Sequence, residues 1–134
     1  MGIGFGRRKS KGTTAERDLI HKFWAAGWAA VRVAGSGSSQ FPSPDLLAGN
    51  STRKFAIEAK ATADNNKYFT EQEIRELAYF SSKFGAHPLL AIKFDNRGWF
   101  FLNIDDLKKT DKNYVASFKI AELYGLKFEE LISE

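Results

Sequence analysis

The sequence predicts an α/β domain, a mixed central β-sheet flanked by helices, and three observations carry that prediction. At about 100° per residue, Ala15, Leu19, Ile20, Phe23 and Trp24 fall on one broad apolar arc, the mark of an amphipathic helix. Short apolar runs punctuated by Gly, Pro, Asn, Asp and Ser follow it, which is the pattern of strands and turns. A second helical stretch then interrupts the strands, giving the order α-β-β-β-α-β-β. Strands alternating with helices in this way build a sheet covered by helices on its faces.

Each element has a local reason. Thr13-x-x-Glu16 has the form of a capping box and predicts a helix start there, with an end near Gly27. Trp28 to Ala34 reads as the first strand. The loop Gly35 to Gln40 and the segment Phe41-Pro42-Ser43-Pro44 lead into a hairpin. Its first arm is Leu46-Leu47-Ala48, its turn begins at Gly49-Asn50-Ser51, and Lys54 to Lys60 returns. Thr70-x-x-Glu73 is a second capping box, opening a helix to about Phe84 with Gly85 as its stop. Leu89 to Phe94 and Trp99 to Asn103 are strands joined by the tight turn Asp95-Asn96-Arg97-Gly98. Beyond Asp106 the pattern predicts a short helix or turn near Asp105 to Lys108. A strand around Tyr114 to Ile120 and a helical turn at Lys127 to Ile132 follow.

Composition limits the chemistry. The chain has 134 residues, enough for one domain with a real core, and no internal repeat. It contains no cysteine, which excludes disulfides, thiolate catalysis and cysteine-based zinc sites. His21 and His87 are far apart and make no metal-ligand spacing. No apolar run approaches the roughly 18 residues of a membrane helix. Met1 to Lys11 lacks the apolar stretch of a signal peptide, and Gly6 breaks the myristoylation pattern. The expectation is an intracellular, soluble protein with no membrane partner and no small-molecule cofactor.

The most informative chemistry lies around the hairpin. If Leu47 pairs with Ala56 across a four-residue loop, Asp45 falls opposite Glu58. In an extended strand Glu58 and Lys60 share a face while Ala59 points away. Two carboxylates and an ammonium would then converge. Carboxylates suit Mg²⁺ or Mn²⁺. A neighbouring lysine can orient or activate a water, or stabilise charge on a phosphate. These are the parts of metal-assisted phosphodiester cleavage. The alternative is an ordinary hairpin carrying a surface ion pair.

Four further features each admit two readings. Glu16 lies inside the apolar arc of its helix, where a carboxylate is costly unless it is paired or binds metal; as a capping-box residue it needs neither. Arg7, Arg8, Lys9 and Lys11 stand in a Gly-rich segment with no acidic residue among them. They form either a flexible arm, residues 1–12, that neutralises nucleic-acid phosphates, or a solvated tail before a single domain at 13–134. The Gly35 to Gln40 loop is a connector or a phosphate contact beside Asp45. Trp99, Phe100 and Phe101 put aromatics on both faces of one strand, marking either a partner surface or a sheet covered on both sides.

Taken together, these residues resemble the archaeal Holliday junction resolvase family within the PD-(D/E)xK nuclease superfamily. The likeness rests on Lys11-Gly12 through Ala15-Glu16-Arg17, Gly27 through Val31-Arg32-Val33, Gly35-Ser36-Gly37-Ser38 and Pro44-Asp45-Leu46. It continues through Ile57-Glu58-Ala59-Lys60, Phe80 to Gly85 and Leu90-Ala91-Ile92-Lys93-Phe94. It implies a restriction-endonuclease-like core and an Mg²⁺-dependent endonuclease, with Mn²⁺ as a substitute, that resolves four-way DNA junctions by paired nicks in recombination and repair. It implies a homodimer on branched DNA, acting inside the cell.

Carried over, the resemblance implies that Glu16, Asp45 and Glu58 position metal, that Lys60 stands beside the attacking water, and that Ser36 lies near the scissile phosphate, with Ser38 as a second candidate. Arg32 and Arg17 correspond to DNA-backbone contacts. The dimer is expected to bury aromatics near Phe80 and along Trp99 to Phe101. Two other readings compete: a restriction or repair nuclease on the same scaffold, and a non-catalytic protein that binds branched DNA.

Overall fold

The computed structural model describes residues 3–35 and 40–133, with side chains from residue 14 onward. Helix α1 (Ile3–Ala25) is followed by β1 (Ala29–Arg32), β2 (Leu46–Gly49), β3 (Lys54–Thr62) and β4 (Asn66–Thr70). Then come α2 (Glu71–Phe84), β5 (His87–Phe94), β6 (Gly98–Leu102) and a 3-10 turn at Ile104–Asp106. Strands β7 (Lys108–Lys109) and β8 (Asn113–Ser117) precede the terminal helices α3 (Phe118–Tyr124) and α4 (Phe128–Ser133).

Five strands form the central sheet in the order β1-β2-β3-β5-β6. β3 and β5 are parallel and the other pairs antiparallel, so the sheet is mixed as the sequence predicts. Helix α2 makes the crossover between the parallel pair, the connection that parallel strands require. Alternation along the strands divides the core in two. Phe55, Ile57, Leu89, Ala91 and Phe101 pack with Ala15, Leu19 and Phe23 of α1 and with Phe128 and Leu131 of α4. Ala56, Leu90, Ile92, Phe94, Phe100 and Leu102 pack on the opposite side with Ile74 and Leu77 of α2 and Ala121 of α3.

The second capping box forms as expected. Thr70 Oγ1 accepts the Glu73 amide at 3.0 Å, Glu73 Oε1 accepts the Thr70 amide at 2.9 Å, and α2 stops at Gly85, whose φ of 80° favours glycine. The first does not. Helix α1 begins at Ile3, so Thr13 lies inside it and has no helix start to cap, an N-cap residue needing non-helical backbone. The expected strand at Tyr114 to Ile120 ends at Ser117, whose Oγ accepts the Ile120 amide at 3.0 Å and starts α3 instead. β4 went unpredicted; it pairs with β8 in a separate three-stranded sheet, β4-β8-β7, and its Phe69 is fully buried.

Trp99, Phe100 and Phe101 are all buried, which corrects the expected partner surface. α1 and α4 cover one face of β6 and α3 the other, so the sheet is covered on both sides. Apolar exposure gathers instead at the β1 edge. Trp24, Val31 and Phe84, at 58%, 54% and 47% exposure, line a groove of about 840 Å³ with Leu47 and Phe55. Phe80 is half-buried and stacks on Phe84 at 5.3 Å.

Candidate active site

The hairpin has the register that brings the carboxylates together. Leu47 pairs with Ala56 and Leu46 with Ile57, and continuing that register sets Asp45 opposite Glu58. The Asp45 amide donates to the Ile57 carbonyl at 3.1 Å, and Asp45 Oδ2 accepts the Ala59 amide at 3.0 Å, which fixes the carboxylate against β3. Ala56 belongs to the α2-side core, so Glu58 and Lys60 continue along that same side of the strand. A pocket of about 520 Å³ opens there between the hairpin and the start of α2. Its walls include Asp45, Glu58, Ser43, Gln72, Glu73 and Glu76.

The electrostatics are unusual for so small a site. Burial, and then the nearby charge of Asp45, push the Glu58 carboxyl up from its ordinary 4.5 to about 8. Lys60 opposes that shift and Glu73 adds to it. Burial alone would lower Lys60, but the hydrogen bond from its Nζ to Glu73 Oε2, at 2.8 Å, and the charges of Glu73, Glu58 and Asp45 hold the ammonium above its ordinary range. Glu73 is itself held below the usual carboxylate range. Its burial acts the other way and is outweighed by Lys60 and the Thr70 amide.

The donor set fits a hard divalent cation. Asp45 and Glu58 are oxygen ligands close enough to resist being ionised together, a conflict that a cation relieves. Ser43 Oγ, buried in the same wall, has no hydrogen-bond partner among the described residues. Those residues hold no group of three or more acidic or histidine side chains placed to share one ion. Of the four carboxylates in this wall, Glu73 accepts from Lys60 and Glu76 from Gln72, and Asp45 and Glu58 are the pair that the hairpin register sets opposite each other.

The other predicted residues sit elsewhere. Glu16 rides on α1, which packs against the opposite face of the sheet. Its Oε1 accepts Arg32 Nε at 2.7 Å, which satisfies the half-buried carboxylate by pairing. Arg32, expected on DNA, is thus also the partner of Glu16; Arg17 is exposed on the same helix. Ser36 and Ser38 lie outside the described residues. Arg7, Arg8, Lys9 and Lys11 lie on α1, outside the part whose side chains are described. Glu73, which lines this pocket and accepts from Lys60, reads in the sequence only as the cap of α2. Its spacing from Thr70 announces the cap and nothing announces Lys60.

Comparison with known proteins gives a consistent answer. The family model described as archaeal Holliday junction resolvase matches residues 7–134. The chain is 41% identical over 133 residues to crossover junction endodeoxyribonuclease Hjc of Archaeoglobus fulgidus, covering 94% of this chain and 98% of the relative. It is 34% identical to the protein of that name from Methanocaldococcus jannaschii, over 91% of this chain and 86% of the relative. The solved structure of Archaeoglobus fulgidus Hjc, a Holliday junction resolvase from an archaeal hyperthermophile, superposes with a TM-score of 0.85 at 37% identity. That match covers 92% of this chain and 97% of the other.

Proposed function

The chain belongs to the archaeal Holliday junction resolvase family, and from that premise we propose that it is an Mg²⁺-dependent endodeoxyribonuclease that nicks four-way DNA junctions in symmetric pairs. The observation that carries the reading is the convergence of Asp45 and Glu58 in a pocket beside α2, with Lys60 on the same side of β3 and hydrogen-bonded to Glu73 of the pocket wall.

Asp45 and Glu58 would hold the ion, with Mn²⁺ able to substitute. Such an ion neutralises charge on the scissile phosphate and lowers the pKa of a water. The Ala59 amide keeps the Asp45 carboxylate aimed into the pocket. Lys60 acts as an ammonium: the carboxylates around it favour the charged form, so it donates a hydrogen bond to the attacking water or to a phosphate oxygen and does not accept the proton. Hydrolysis then places the water oxygen on phosphorus and a proton on the leaving sugar oxygen.

Arg32, Arg17 and the basic stretch Arg7, Arg8, Lys9 and Lys11 are assigned to the DNA backbone, and Ser36 to the neighbourhood of the scissile phosphate. Glu16 is paired with Arg32 in this structure, and its assignment to the metal rests on the family likeness alone. Two nicks require two sites, and a twofold dimer presents them at a fixed separation. The groove bounded by Trp24, Val31 and Phe84 is the apolar surface assigned to that contact. Among the described residues no helix is long and apolar enough to cross a membrane; the protein is assigned to the intracellular DNA.

The test compares a synthetic four-way junction with linear duplex of the same sequence, in Mg²⁺ and in chelator. Cleavage of the junction alone, by paired nicks, lost on chelation and in Asp45→Asn while junction binding persists, is the expected result. Equal cutting of both substrates would replace this reading with a restriction or repair nuclease. Binding without cutting would leave a branched-DNA binding protein.

A further inference from the structure

Resting on the nuclease reading above, we propose that Glu73 is the positioning residue for Lys60, and that the capping box of α2 is the frame that aims the lysine. A capping-box glutamate ordinarily satisfies the N-cap amide with one oxygen and leaves the other to solvent. Here the two oxygens are divided. Oε1 accepts the Thr70 amide at 2.9 Å and Oε2 accepts Lys60 Nζ at 2.8 Å. The same carboxylate therefore ties the first turn of α2 to the end of β3.

The frame is rigid on the helix side. Thr70 Oγ1 holds the Glu73 amide at 3.0 Å, and the next residue, Ile74, is anchored in the core. On the strand side, the face of the buried Phe69 ring lies 5.7 Å from Nζ, a cation–π distance. Both partners keep only about a quarter of their side-chain surface in water, 26% for Lys60 and 30% for Glu73. This is a partly desolvated pair at the edge of the pocket, where an exposed surface pair would hold its geometry weakly.

Lysine needs such a frame. Its ammonium sits on a flexible four-carbon stem with no preferred direction. Glu58 stands two positions back on the same side of the strand, and Asp45 stands opposite Glu58. Without Glu73 these are the anions the ammonium would turn to. Lys60 would then occupy the carboxylates assigned to metal and leave the position from which it reaches a water or phosphate oxygen. Glu73 competes for the ammonium and keeps the two apart. It acts on the reaction through Lys60 and touches no reacting atom itself.

The test uses Glu73→Gln, which keeps shape and a side-chain oxygen for the Thr70 amide but presents no charge to Lys60. Junction cleavage is followed in Mg²⁺, and the Lys60 Nζ signal is recorded in metal-free protein by lysine-selective NMR. A residue that only caps the helix would change neither. The expected result is a kcat lowered about 10²-fold at unchanged KM, the effect of a misplaced catalytic group. The Nζ protons should exchange slowly in the wild type and at the rate of exposed lysines in the variant. A wild-type kcat in Glu73→Gln, or an unchanged Lys60 signal, would overturn the assignment. Failure of the wild-type protein to cut junctions would instead sink the nuclease reading, and the Nζ signal would still decide whether Glu73 holds Lys60.

Discussion

Replacing Glu58 by glutamine should make the metal-free protein more stable at alkaline pH and leave it nearly unchanged in mild acid. The folded protein holds the Glu58 carboxyl near 8, against 4.5 for the ordinary group. Between those values the folded state binds the proton and the unfolded state does not. The stability this provides is fully present below the unfolded pKa and is lost as pH rises through the folded one. At about 1.36 kcal/mol per unit, the shift sets a ceiling of roughly 5 kcal/mol. The carboxyl is half-buried in an open pocket, so water reduces the penalty, and about 1–2 kcal/mol is the part expected to survive. For a domain of this size that amounts to a Tm gap of about 3–10 °C.

Thermal melts of both proteins in chelator, from about pH 4 to about pH 9.5, read this gap directly; other titrating groups cancel in the difference. Glu58→Gln should match the wild type in acid and exceed it increasingly through neutral to alkaline pH. Adding Mg²⁺ should raise the wild-type Tm at alkaline pH and leave the variant unmoved, because the cation replaces the proton as what neutralises the pair. Two melting curves separated by the same interval at every pH would refute the reasoning. So would a variant less stable than wild type in alkali, since that would make Glu58 a stabilising charge and not a strained one.

Two other consequences follow from the assignments above. Removing residues through Lys11 should weaken binding to every DNA form and flatten the salt dependence by about 0.9 log units for each phosphate the shortened protein no longer neutralises; an unchanged slope would remove those side chains from the DNA interface. Val31→Glu, which sets a charge in the apolar groove at the β1 edge, should shift the protein from dimer to monomer in sedimentation at micromolar concentration, and a dimer of undiminished affinity would move the interface elsewhere.

The fold was largely legible because each of its main signals is local. The hairpin register could be read from loop length and from where the apolar run stops, and Leu47 does pair with Ala56. Helix α2 announced both its ends, with Thr70 and Glu73 at one and Gly85 at the other. The failures share a cause. Thr13-x-x-Glu16 satisfies the capping pattern, but the pattern says nothing about whether the preceding residues are helical already. β4 has Phe69 between polar neighbours and offers too short an alternation to stand out; it is a strand because β8 supplies its partner from a distant part of the chain. Trp99 to Phe101 looked exposed on one face because the residues that cover it come from α1, α3 and α4, far away in sequence.

The site divides along the same line. Asp45, Glu58 and Lys60 were legible as a set because one hairpin brings them together, and strand alternation settles which way each points. Glu16 and Glu73 both read as capping-box carboxylates, and each has a partner the pattern does not show. Glu16 sat in an apolar arc with Thr13 as its suggested partner; the partner it has, Arg32, lies beyond the end of the helix on the edge strand, and only the packing of α1 across β1 brings the two within 2.7 Å. Glu73 had a visible partner, Thr70, and that sufficed to explain it. A carboxylate has two oxygens, however, and a capping box uses one. Where the cap stands in the wall of a charged pocket, the second oxygen is left for a neighbouring cation, and here it takes Lys60, the lysine of the proposed mechanism. A residue fully explained by local structure can therefore still belong to the site, and the place to look is the hydrogen-bonding capacity that its local role leaves over.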